Sequence, residues 1–124
     1  MKIVVLKFGG TSVGNIDRIK KVSDIIINYI KKKYKVIVVS SAMSGATNDL
    51  VNKSKSISSN FSKEEYDVLV SSGEQVACAL IAGRLIEKGS SLSVKPCFFL
   101  IIFAASAEVF AVKKLSSLFN FNCS

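Results

Sequence analysis

Apolar residues fall into two rhythms along this chain, and the changes of rhythm mark its elements. Met1 to Phe8 is dense in Ile, Val and Leu, the composition of a strand buried in a parallel sheet. From Ile16 the apolar positions step by three and four, through Ile19, Val22, Ile26 and Ile30, with Asp17, Arg18, Lys21, Asp24 and Asn28 between them. That spacing predicts an amphipathic helix. Tyr34 to Val39 returns to a short β-branched run, set off by Lys31 to Lys33 before it and Ser40-Ser41 after it, and predicts a second strand. Two strands joined through a packed helix form a right-handed parallel unit. The loops after both strands then share one carboxyl edge, where open α/β sheets bind ligands.

Those two loops carry the candidate chemistry. Gly9 to Gly14 is the turn that opens the first helix, and its glycines can take positive φ and converge backbone N–H groups on an anion, with Lys7 supplying a full charge. The lysine precedes the glycines, so this is not the P-loop of nucleoside triphosphatases. A plain strand-to-helix turn with a solvated lysine stays open as the alternative. The second loop, Ser40 to Asn48, is built of small and hydroxyl residues before a helical stretch through Leu50, Val51 and Ser54. A serine-rich turn ending in a Thr47 or Asn48 helix cap is its plain reading.

Farther on, Ser54 to Asn60 reads as a loop and Ser62 with Glu65 as a capping box. Ser71-Ser72-Gly73 reads as a break, after which Glu74 opens another helix, buried through Ala77, Leu80, Ile81 and Leu85 and closed by Gly89. At a first turn, Glu74 would be favoured by the helix dipole alone.

Composition narrows the function. The 124 residues are 49% hydrophobic, enough for one globular core. Seventeen basic against nine acidic residues give a net charge of +8. The basic residues cluster on the polar side and end of the first helix, without interleaved aromatics, which favours a solvated face and an anionic small substrate over nucleic acid. The absence of histidine excludes Ser-His and Cys-His catalysis and histidine-ligated zinc. Cys78, Cys97 and Cys123 show no C-x-x-C spacing, and no basic leader precedes a long apolar run, so a reduced, cytoplasmic protein is expected. Cys78 reads as a small buried hydrophobe.

Three segments, KFGGTSVG at Lys7 to Gly14, SSAMSGATN at Ser40 to Asn48 and SSGEQVACALIAGRLIEKG at Ser71 to Gly89, resemble in that order the aspartate kinases of the amino acid kinase family. The resemblance implies the amino-terminal part of a three-layer α/β/α domain with a mainly parallel sheet. It also implies phosphorylation of L-aspartate by ATP with Mg²⁺, giving 4-phospho-L-aspartate, the first step toward lysine, threonine and methionine. On it, Lys7 is catalytic and contacts the ATP phosphates, with Phe8, Gly9, Gly10 and Ser41 on the nucleotide side. Thr11 and Ser12 lie beside the substrate, and Thr47 and Glu74 hold aspartate by a hydroxyl and by pairing with its ammonium group. No residue is assigned to metal. The substrate carboxylate is already ionised at pH 7, so no general base is required.

Residues 1–89 therefore read as a partial amino acid kinase domain, and 90–124 as a divergent apolar tail. The run Cys97 to Ala105 is shorter than the ~20 residues of a membrane span. The tail has no Thr-Asp pair and no aspartate, where an aspartate kinase continues with its nucleotide half and regulatory domains. A frameshift or truncation is the expected origin, and weak or no activity of the chain alone the expected consequence. The alternative is a non-catalytic anion-binding or amino-acid-binding module. Neither nucleic acid nor membrane is expected as partner; a homo-oligomer or a chain supplying the missing half stays open.

Overall fold

The computed structural model describes residues 2–89, so the expectations for 90–124 lie outside the described residues. The element order is β1 (Ile3–Phe8), α1 (Ile16–Lys31), β2 (Lys35–Ser40), α2 (Ala46–Ile57) and α3 (Lys63–Glu87). β1 and β2 pair in parallel, from Ile3 opposite Lys35 to Phe8 opposite Ser40. Both strands therefore finish at the same edge, as the β-α-β reading requires.

The apolar stripe of α1 works as its spacing predicts. Ile19, Val22 and Ile26 are buried against Ala77, Ile81 and Leu85 of α3, with Val13 from the first loop completing the cluster. Leu6, Phe8, Val36 and Val38 of the sheet pack onto that cluster from one side. Ile16, at the helix start, is instead 52% exposed, and so is much of Leu80, which lies off the buried stripe of α3. The expectation of a strand buried on both faces is met on one only. Ile3, Val5 and Ile37 point the other way and are exposed among the described residues.

Three local expectations are corrected. The segment Ser54 to Ile57 is helical, not loop: Ser54 is buried and returns its hydroxyl to the Val51 carbonyl at 2.9 Å, while Ser56 donates to Asn52 at 2.8 Å. Serine hydroxyls that fold back onto the preceding turn satisfy themselves without breaking a helix. The same device carries α3 straight through Ser71-Ser72-Gly73, with Ser71 bonded to the Val68 carbonyl and Ser72 to that of Leu69. Glu74 thus sits in mid-helix, and the helix-dipole account of it falls. The capping box at Ser62 is also incomplete. Ser62 does cap α3 by position, but its hydroxyl donates to the Glu64 carboxylate at 2.8 Å and makes no side-chain bond to the helix backbone. Glu64's own backbone hydrogen bond, then that hydroxyl, hold its carboxyl below the usual range.

The basic face is exposed as expected at Lys20, Lys21, Lys31 to Lys33 and Lys35. One of these lysines is strained: Lys33 follows the α1 C-cap with φ of +61°, the left-handed conformation that side chains disfavour. Lys33→Gly is expected to raise the unfolding free energy by about 1 kcal/mol, read as a higher urea midpoint. Gly89 takes the equivalent place after α3 with φ of +66°, and its N–H bonds the Ile86 carbonyl, as its predicted capping role requires.

By length and composition α3 could also cross a membrane. In this fold it is a core helix, its Ala77-Ile81-Leu85 stripe buried against α1.

Candidate functional site

The first loop is a tight turn pinned from below. Ser12 and Val13 N–H groups both donate to the Gly9 carbonyl, at 2.8 and 3.3 Å, and Val13 is completely buried. Asn15 caps α1 by accepting the Arg18 N–H at 2.9 Å, and the Arg18 guanidinium reaches back to the Thr11 carbonyl. Neither Asn15 nor Arg18 was singled out for this role from the sequence. The N–H groups of Gly10 and Thr11 have no backbone acceptor among the described residues.

The second loop extends the sheet by one bond, Ser41 N–H to the Phe8 carbonyl at 3.0 Å, and then turns into α2. Gly45, with φ of +84°, occupies the N-cap position, so Thr47 and Asn48 lie inside the helix and neither is the cap. Positive φ belongs here and not to Gly9, Gly10 or Gly14. Gly10 is explained by closeness instead: a Cβ on it would lie 3.0 Å from the Ala42 carbonyl oxygen. From the other side, a Cβ on Gly73 of α3 would lie 3.2 Å from the Ala42 Cβ and 3.4 Å from Leu50. Both loops and α3 therefore meet at Ala42, itself 5% exposed.

Above that junction lies an open cleft of about 380 Å³, lined by Gly10 and Thr11, by Ser41 to Gly45, by Thr47 and by Glu74. Five residues expected at a common site, Gly10, Thr11, Ser41, Thr47 and Glu74, are thus brought together from three separate segments. Phe8 and Ser12 are not among them. They line a second cleft of about 330 Å³ with Arg18, Lys21, Val22 and Ile25. Lys7 and Gly9 line neither; Lys7 is exposed, alternating onto the same sheet face as Ile3 and Val5.

The cleft's most informative atom is Glu74 Oε2, which is buried and has no hydrogen-bond partner. Leaving a buried polar atom unpaired costs about 1–3 kcal/mol, more when charged, so such an atom at a cleft wall calls for a donor from outside. The other unpaired buried atom among the described residues, Arg84 Nε, lies ten positions further along α3, where the same guanidinium bonds Glu87 at 2.6 Å. Cys78, one turn beyond Glu74, is half-buried; burial, and then the Glu74 charge, push its thiol above the ordinary range. Cys78 alkylation by iodoacetamide at pH 7.5 is expected to be slow, and faster in Glu74→Gln, as followed on the Cys78 peptide by mass spectrometry.

A carboxylate, several hydroxyls and free backbone N–H groups can hold a small polar molecule bearing both an ammonium and an anionic group. Backbone N–H groups of the Gly10-Thr11 turn could donate to an anion such as phosphate. No group of three or more His, Cys, Asp or Glu side chains that could hold a metal ion occurs among the described residues.

The structure is thus a parallel β-α-β unit with a glycine turn, a hydroxyl loop and a carboxylate helix meeting at one sheet edge, the edge where open α/β sheets bind ligands. The amino acid kinase family model matches residues 2–117, and the chain belongs to the amino acid kinase family. It is 53% identical over 89 residues to an aspartokinase of Geobacillus stearothermophilus, covering 72% of this chain and 22% of that protein. It is 53% identical over 91 residues to an aspartokinase of Rickettsia felis, covering 71% and 23%. The fold is similar to a crystal structure of aspartate kinase from Synechocystis, with a TM-score of 0.66 and 42% identity over 69% of this chain and 15% of that one. The chain thus spans less than a quarter of the length of these curated relatives.

Proposed function

We propose that residues 1–89 form the aspartate-holding part of an aspartate kinase site, for the reaction of ATP and L-aspartate to ADP and 4-phospho-L-aspartate in the cytoplasm. Glu74 pairs with the substrate ammonium, and the Thr47 hydroxyl bonds a substrate carboxylate. Gly10 and Thr11 offer backbone N–H groups to the transferring phosphate, and Ser41 borders the nucleotide side. Lys7, at the carboxyl end of β1, would supply positive charge to the ATP phosphates from outside this cleft, since its side chain lies on the Ile3 and Val5 face of the sheet, while Phe8 and Gly9 shape the strand end and Ser12, on the neighbouring cleft, the turn. Mg²⁺ accompanies ATP, and residues 2–89 are given no part in holding it.

The observation that carries this reading is the unpartnered, buried Glu74 oxygen on the wall of the same cleft as Thr47 and Gly10. An aspartate ammonium supplies the missing donor, and its side-chain carboxylate, ionised at pH 7, attacks phosphorus without a base. Positioning and charge are then the whole of the protein's task, which suits a site lacking histidine. The purified chain should bind L-aspartate while turning it over weakly or not at all with ATP, turnover being read as hydroxylamine-trapped aspartyl phosphate. Sustained turnover would make the chain a kinase in its own right, and failure to bind aspartate would overturn the reading.

A further inference from the structure

Ala42, on the wall of the cleft, also lies beside two glycines of the elements that frame it. Its carbonyl oxygen stands 3.0 Å from where a Gly10 Cβ would be, and its methyl 3.2 Å from where a Gly73 Cβ would be. Gly73 immediately precedes Glu74 on α3, and Gly10 immediately precedes Thr11 on the first turn. Ala42, 5% exposed, lies between the phosphate-side turn and the carboxylate helix, near both glycines. A Cβ added at either glycine would be tighter than an ordinary contact, so Ala42 would have to give way by a few tenths of an ångström.

Resting on the aspartate reading of the cleft, we propose that Ala42 is a positioning residue: its methyl sets the approach of Glu74, and its carbonyl the approach of the Gly10 turn. The two contacts differ in kind. The Gly73 contact is methyl to helix, so a methyl added at Gly73 can be offset by removing the one at Ala42. The Gly10 contact is made by backbone, and no side-chain change at Ala42 offsets a methyl there.

The test is a set of L-aspartate titrations on the full chain by isothermal calorimetry, with urea midpoints measured on the same samples. A misplacement of ~1 Å at a binding group costs about a hundredfold, so a few tenths correspond to about three- to fivefold. Gly73→Ala is expected to weaken aspartate binding by that factor with no fall in urea midpoint, because alanine replaces glycine inside a helix. Adding Ala42→Gly to Gly73→Ala moves the methyl across the contact and restores wild-type affinity. Gly10→Ala also weakens binding, and Ala42→Gly leaves it weak. Wild-type affinity in Gly73→Ala, failure of the double variant to recover, or an affinity loss that merely follows a stability loss would each overturn the positioning role. Absence of aspartate binding by the wild-type chain would instead sink the reading of the site on which this role rests.

Discussion

Glu74→Gln weakens L-aspartate binding by about thirtyfold, corresponding to about 2 kcal/mol, the lower end of what truncating one partner of a buried charge pair costs. The substitution keeps the shape of the side chain and its place on α3, so the fold is left intact. What it removes is the charge that faces the substrate ammonium. Glutamine can still accept one hydrogen bond from that ammonium, which is why the lower end of the range applies to this open cleft. A control separates charge from general loss of binding. Succinate has the two carboxylates of aspartate without the ammonium; the wild-type chain should prefer aspartate to succinate, and Glu74→Gln should lose most of that preference. Equal loss for both ligands would assign Glu74 to the architecture of the cleft and not to the ammonium.

Ile26→Ala destabilises the fold by about 2–5 kcal/mol, the range for an Ile truncated to Ala in a packed core. Ile26 is 1% exposed and sits where α1, α3 and the sheet converge. Its neighbours on α1, Val22 and Ser23, are also buried, and Ser23 is tied to the Ile19 carbonyl at 2.9 Å, so the helix has little room to collapse into the space left. Such a loss is a large fraction of the 5–15 kcal/mol typical of a small domain. Urea denaturation followed by circular dichroism should move the midpoint strongly downward, or leave the variant unfolded without denaturant. A change below about 0.5 kcal/mol, the scale of a surface substitution, would mean that α1 does not pack against α3 as described.

Periodicity located β1, α1 and β2 because each has a face that must be buried, and Ile19, Val22 and Ile26 lie where the spacing puts them. The failures share a cause. Ser54, Ser71, Ser72 and Gly73 look like loop residues by propensity, yet the serines bond back within the helix and Gly73 serves a contact with Ala42, a residue thirty-one positions earlier. Propensity is local, and that contact is not. For the same reason Glu74 was legible as a site residue through resemblance but not as a mid-helix carboxylate with an unpaired oxygen. The exposure of Ile3 and Val5 was illegible because a run of β-branched residues states only that a strand can be buried, not which face is covered. Five of the expected site residues do converge, while Phe8 and Ser12 face another cleft and Lys7 faces the open side of the sheet.

Titration of the purified full chain with L-aspartate, and in parallel with succinate, tests most directly whether this cleft is an aspartate site. Saturable binding of aspartate with a clear preference over succinate is the predicted result. No saturable binding, or succinate bound as well as aspartate, would contradict it.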